Sequence, residues 1–298
     1  MDSIFTLLEG AVDMHVHAYP DVSLQHLQHE SNEAVVTSCR EAGMTGLVLK
    51  THGWPAPGLA RMLDGLYDDF SVFPSVTLNA CSGGPHPWVV EMAVHMGARM
   101  IWLPTWSAWN DHQSGRGFGV IAASYLPRTK TDWKEQDFYR LLDEEGQLKE
   151  EIKECIALCR DAHLVLGTGH ISSEESMAVG RFADSIGYHK VCLTHPRSDC
   201  AKNSFEAIRA FAEMGQYVEM CALNVAPLHT SMTIADMKKI IDAAGADHCF
   251  LSTDHFFDWV PPIPIQLYEV LGCLREAGVS YDTLREYMKT PRRLLELE

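Results

Sequence analysis

Six short apolar runs, spread through the chain, each finish on an ionisable or metal-ligating side chain. They are VDMHVH at 12–17, LVLK at 47–50, LVLGTGH at 164–170, VCLTH at 191–195, YVE at 217–219 and FLSTD at 250–254. Short runs rich in Val and Leu predict buried strands. Two more strands are predicted at 72–78 and 100–103. Strand ends then fall at His17, Lys50, Asn79, Thr105, His170, His195, Glu219 and Asp254. Between them the chain carries helix-start and helix-stop chemistry. Ser172 and Glu175 predict a capping box for a helix that stops near Gly187. Asn203 with Glu206, and Thr233 with Asp236, repeat the signal, with Gly215 and Gly245 as stops. Helices are also predicted over 32–42, and over 150–162 behind a tight turn at 143–148.

Strands and helices alternating in this order mark parallel βα units, each usually about 30 residues long. Most spacings between the strand ends are close to that value, and the one from Thr105 to His170 is far longer. The predicted class is α/β: a (β/α)8 TIM barrel, one domain over 1–298, with an insertion after strand four at about 106–148. An open doubly wound sheet would hold the first and last polar strand ends far apart. A barrel gathers all eight around one mouth, where such enzymes carry their chemistry. The insertion is polar and aromatic, and a loop this long in a compact domain is usually functional or disordered. A substrate lid carrying Trp106, Trp109, His112 and Arg116 is one reading; a surface excursion or oligomer contact is the other.

His15 and His17 are two apart on a strand, so both imidazoles face the same way. Two close imidazoles suit a borderline cation such as zinc, with iron or manganese as alternatives. One such pair is a weak signal. His170, His195 and Asp254 join it at other strand ends, and five such residues around one mouth point to a divalent metal, one or two per chain. Lys50 and His52 share a face if strand two continues. Lys50 is read either as a group at the metal or as a lysine reaching out from the rim. Glu219 is placed to orient a histidine or to meet substrate. Arg116 and Arg197 are candidates for a substrate carboxylate, while Asn79, Thr105, Trp106 and His52 are expected to line the pocket.

The segments DMHVHAYPDV, LVLKTH, IWLPT, GTGHIS, LTHP and LSTD resemble the amidohydrolase superfamily of metal-dependent hydrolases, and most closely an amidohydrolase-like branch with no assigned reaction. The resemblance runs through essentially the whole chain. It implies that His15, His17 and Asp254 hold one metal, and that His170 and His195 hold a second or that His195 polarises the substrate. It implies further that Asp254 handles the proton of a metal-activated water. Binuclear relatives often bridge their metals with a carboxylated lysine or a glutamate after strand four. This chain has IWLPTW there, and Lys50 on strand two is the substitute, as a carboxylated bridge or as a cationic contact to substrate.

Composition narrows the partners. With 24 Lys and Arg against 40 Asp and Glu, the chain carries a formal charge of −16, which argues against nucleic acid and against an anionic membrane surface. Nine scattered cysteines, an odd number, suit reduced thiols. The acidic start MDSIFTLLEG does not read as a signal peptide, and a cytoplasmic location is expected.

Sequence alone therefore favours a metal-dependent hydrolase acting on a small amide, lactone or ester. A metal-dependent decarboxylase or lyase on the same barrel, and a catalytically silent metal-binding protein, are the alternatives. A homo-oligomer is an open expectation.

Overall fold

Alternating strands and helices wrap into a ring in the computed structural model, which describes residues 3–26, 28, 30–115 and 134–297. The strands are β1 (Val12–His17), β2 (Gly46–Lys50), β3 (Ser71–Thr77), β4 (Met100–Trp102), β5 (Val165–Gly167), β6 (Val191–Leu193), β7 (Tyr217–Cys221) and β8 (Cys249–Ser252). They pair in sequence order, and every registered pair is parallel. The ring closes between β8 and β1 on a short seam: His17 N donates to the His255 carbonyl (3.0 Å) and His255 N to the His15 carbonyl (3.3 Å). The fold is a (β/α)8 barrel, as the strand spacing predicted.

The helices are α1 (Asn32–Glu41), α2 (Pro57–Asp64), α3 (Pro87–His95), α4 (Trp109–Ser114), α5 (Glu150–Asp161), α6 (Ser173–Ser185), α7 (Phe205–Glu213), α8 (Ile234–Ala244), α9 (Ile263–Glu276) and α10 (Tyr281–Leu294). The capping boxes at Ser172/Glu175 and Thr233/Asp236 are present. At α7 the cap is Ser204, whose side chain accepts from Ala207 N, and not Asn203. A hydroxyl one residue later reaches the first free N–H groups of that helix, while Asn203 is buried. The predicted turn at 143–148 is built around Asp143, whose carboxylate accepts from Glu145 N and Gln147 N.

Two cores result. The larger packs helices onto the outer strand faces. The smaller fills the ring with Val12, Met14, Val48, Met100, Trp102, Val165, Cys192 and Phe250, joined by Leu294 and Leu295 from the end of α10. Trp102 is the broad plate of this interior. Its indole donates to Ser75 Oγ (3.1 Å), and a Cβ at Gly167 would lie 2.5 Å from its ring, so the glycine leaves room for it.

One irregularity shapes what sits above that interior. Asp13 pairs with Leu47 and Val16 with Leu49, so β1 spends one more residue than β2 over the same distance: a β-bulge. Val12 and Met14 therefore belong to the inner core while Val16 belongs to the outer one. Past the bulge, His15 turns inward onto Trp102, with ring centroids 4.5 Å apart.

Of the inserted segment, the described parts are tied together by bridges of Ala108 with Tyr139 and of Leu142 with Leu148. They meet the barrel where Asn110 donates to the His170 carbonyl and Leu141 N to the Glu175 carboxylate. Arg116, one of the expected lid and carboxylate-binding residues, lies outside the described residues.

Candidate metal centre

The bulged end of β1 and the end of β8 bring the first donors together. His15 Nε2 and His17 Nε2 lie 3.0 and 3.1 Å from the same atom, Asp254 Oδ1. Each imidazole is held from behind by a carboxylate: His15 Nδ1 is 3.1 Å from Glu219 Oε1, and His17 Nδ1 is 2.6 Å from Asp21 Oδ2. When Nδ1 carries the proton and donates it to those carboxylates, both Nε2 lone pairs point at a carboxylate oxygen. A single carboxyl proton on Asp254 would serve one of these nitrogens and not both. A cation among the three atoms satisfies them together, and carboxylate–histidine pairs are the usual backing of a metal ligand. The donors His15, His17 and Asp254 form one of the groups spaced to hold an ion.

His195, in the loop after β6, closes the group. Its Nε2 is 3.6 Å from Asp254 Oδ2, and its buried Nδ1 has no hydrogen-bond partner among the described residues. Burial pushes the His195 pKa down to about 3, so the ring is neutral and able to donate a lone pair. Burial likewise drives His15 well below its ordinary value. At Asp254 burial, the largest influence, opposes ionisation, but His15, His195 and His17 outweigh it and hold the group well below the usual carboxylate range. Both His195 and Asp254 adopt left-handed backbone (φ 49° and 55°), rare for residues other than glycine and a form of strain that clusters at functional sites.

Around this group stand the remaining expected residues. Lys50 is fully buried, with Nζ 2.9 Å from His15 Nε2 and 4.8 Å above the Trp102 ring; burial lowers its pKa. His170 follows Gly169, whose positive φ (60°) and approach to the Leu103 carbonyl exclude a side chain. His170 Nδ1 is 3.2 Å from Asp111 Oδ1, and its ring is 5.5 Å from that of His195. His52 stands between His17 and His170, its ring centroid 4.6 and 6.0 Å from theirs; its pKa is pushed well down by burial. Thr105 Oγ1 meets His52 Nδ1 (2.9 Å), Asn79 braces Thr105, and Trp106 stacks on His52 at 4.4 Å. Phe256 covers His17 from the β8 loop, with centroids 4.5 Å apart.

Asn79 is a brace more than a surface: its amide spans the His52 carbonyl, Thr105 and Ser107 N. Arg197 donates to the Asn203 carbonyl and lies over the Phe205 ring. Trp109 packs under Arg140 and His112 stacks on Phe138, both within the inserted segment.

Three residues at the site escaped sequence reasoning. Asp21 grips His17 and also accepts from His52 N (2.5 Å) and Gly53 N (3.1 Å), tying the loops after β1 and β2 together. Asp111 holds His170 from α4. Cys221, ending β7, groups with His15 and His195, its Sγ 4.0 Å from His15 Nδ1; burial pushes its thiol pKa well up. Asp21 lies inside the quoted DMHVHAYPDV segment, four residues after a candidate ligand, which is the one signal available for it.

A family model described as "Family of unknown function (DUF6282)" matches residues 10–219, most of the chain. The chain belongs to this family. Within the DUF6282 match fall His15, His17, Lys50, His170, His195 and Glu219, while Asp254 lies beyond it. No curated protein matches the sequence. Solved structures do share the fold. An amidohydrolase from Pseudomonas aeruginosa is 13% identical, covering 99% of this chain and 98% of its own at a TM-score of 0.64. A dipeptidase described as a metallopeptidase is 12% identical over 97% of this chain and 98% of its own, at 0.61. An organophosphorus hydrolase from Deinococcus radiodurans is 14% identical over 96% and 93%, at 0.57. At such identities the likeness establishes the fold of this DUF6282 member, the (β/α)8 barrel. Among the described residues no helix is long and apolar enough to cross a membrane.

Proposed function

We propose that the chain is a metal-dependent hydrolase that directs an activated water at a small amide, lactone or ester. The observation that carries this reading is the convergence of His15 Nε2 and His17 Nε2 on Asp254 Oδ1, each imidazole backed by a buried carboxylate. The donor set is nitrogen and oxygen from imidazoles and a carboxylate, which fits zinc and equally manganese or iron.

A divalent cation in this cradle would supply Lewis acidity and lower the pKa of water beside it toward neutrality. The chain's own residues do the rest. Asp254, at the mouth, orients the attacking water, takes its proton and returns it to the leaving group. His195, neutral and beside Asp254, holds a cation or steadies the oxygen on which negative charge develops. His170 and His52 present imidazoles on the far side of the pocket. Trp106 and Phe256 flank them with apolar walls that exclude water and limit substrate to a small molecule. Lys50 would decide the metal count: a carboxylated side chain would help to hold a second cation, and an ammonium would leave one cation and contact substrate. A decarboxylase would want arginines for the substrate carboxylate, and Arg197 is spent on Asn203 and Phe205.

Elemental analysis of protein purified without chelators or a metal-affinity column tests the reading. About two equivalents of transition metal support the bridged hydrolase, and Lys50→Met should then lose metal. About one equivalent, unchanged in Lys50→Met, assigns the lysine to substrate. No metal, even after reconstitution, removes the proposal.

A further inference from the structure

We infer that Asp13 is a positioning residue of the metal centre: its carboxylate clasps β1 to β8 and so sets the distance between His15 and Asp254. The inference rests on the metal reading above but not on the reaction. The seam between these strands carries few ladder bonds, and the bulge in β1 frees the His15 N–H from regular pairing. Asp13 Oδ1 accepts from that N–H (3.0 Å) and from Thr253 N (3.1 Å), while Oδ2 accepts from Thr253 Oγ1 (2.5 Å). The carboxylate is fully buried. It touches the backbone of His15 on β1 and, just past the end of β8, Thr253, the residue immediately before Asp254.

Those contacts close a loop of fixed length. From His15 N the path runs through Asp13 to Thr253, on to the left-handed Asp254, and back to His15 Nε2 across 3.0 Å. Alternation along a regular strand would put Asp13 and His15 on one face. Asp13 instead alternates with the inward Val12 and Met14 and lies across the seam, while the bulge that follows it turns His15 inward. Without the carboxylate, two buried N–H donors lose their acceptor and nothing in the seam replaces them. Asp13 makes none of the close contacts to imidazole nitrogens that Asp254, Glu219, Asp21 and Asp111 make. Its role is geometric.

The test is cobalt(II) titration of the metal-stripped full chain, followed by visible absorption, in wild type, Asp13→Ala, Asp13→Asn and Thr253→Val. Thermal unfolding of each apo form is recorded alongside. Loss of the clasp should weaken cobalt binding about 10- to 100-fold, the usual effect of altering a ligand's outer partner, and should change the band shape of bound cobalt. Asp13→Asn keeps one acceptor oxygen and should recover part of the affinity. Thr253→Val should weaken binding in wild type and add little to Asp13→Ala. Variants that lose apo stability yet bind cobalt with wild-type affinity and spectrum would overturn the positioning role alone. Wild type that binds no cobalt would overturn the metal reading and this inference with it. If Asp13→Ala does not fold, Asp13→Asn and Thr253→Val decide the matter by the same readouts.

Discussion

The two sides of the barrel mouth are built differently. On the β8–β1 side, His15, His17 and Asp254 are locked: each imidazole has a carboxylate behind it, and all three residues meet at one oxygen. On the β5–β6 side, His195 has a buried nitrogen with no partner among the described residues, and His170 meets Asp111 from a six-residue helix in the inserted segment. The first side is prearranged by strands and neighbouring loops alone. The second is completed by a segment that the barrel does not require. The lesson is a division of labour: the seam is fit to keep a cation, and the opposite side to adapt around a substrate or a second cation.

The largest expected effect on that contrast comes from Asp254→Asn. Turnover of a hydrolysable ester should fall about 10²- to 10⁴-fold, the range for a positioned acid–base group, while metal content is largely kept. Unchanged turnover would falsify the proton-handling role. Next come the two outer carboxylates, compared directly. Asp21→Asn should weaken the first equivalent of metal about 10- to 100-fold, and Asp111→Asn should leave that equivalent in place and act on turnover or on a second equivalent. Equal metal loss in both variants, measured by equilibrium dialysis, would erase the distinction between the sides. The smallest effect on the site is expected from Leu294→Ala beneath it. Removing that buried side chain should cost about 2–5 kcal/mol in urea unfolding, with metal stoichiometry unaltered. A change in stoichiometry there would mean that the inner core and the seam are mechanically one unit.

Much of this was legible in the residues because strands announce themselves twice, by apolar run length and by the polar residue that ends them. His15, His17, His170, His195 and Asp254 were found that way, and the structure brings all five to one mouth. Lys50 was found because LVLK ends a strand in a cation where apolar residues should continue. Asp21 and Asp111 were invisible for the opposite reason: they sit in a loop and in a short helix, with no periodicity to mark which way they point. Cys221 was one of nine scattered cysteines with nothing in the sequence to single it out. Nothing in the sequence marks the bulge after Asp13, which breaks strict alternation by turning His15 inward and leaving Asp13 at the seam. Asn203 and Ser204 are both good caps, and only the path of the chain selects the second.

The pair His17 and Asp254 is separated by 237 residues along the chain. A site so divided does not exist in any partly made product: the first strand must wait for the eighth before its two imidazoles meet the carboxylate they share. An ion held there is also a staple between the two extremities of the barrel, closing a loop that includes nearly every other element. Occupancy then reports completeness. On the proposed metal reading, a chain that takes up a cation has finished assembling its ring, and one stripped of it is expected to open first along β8 and β1.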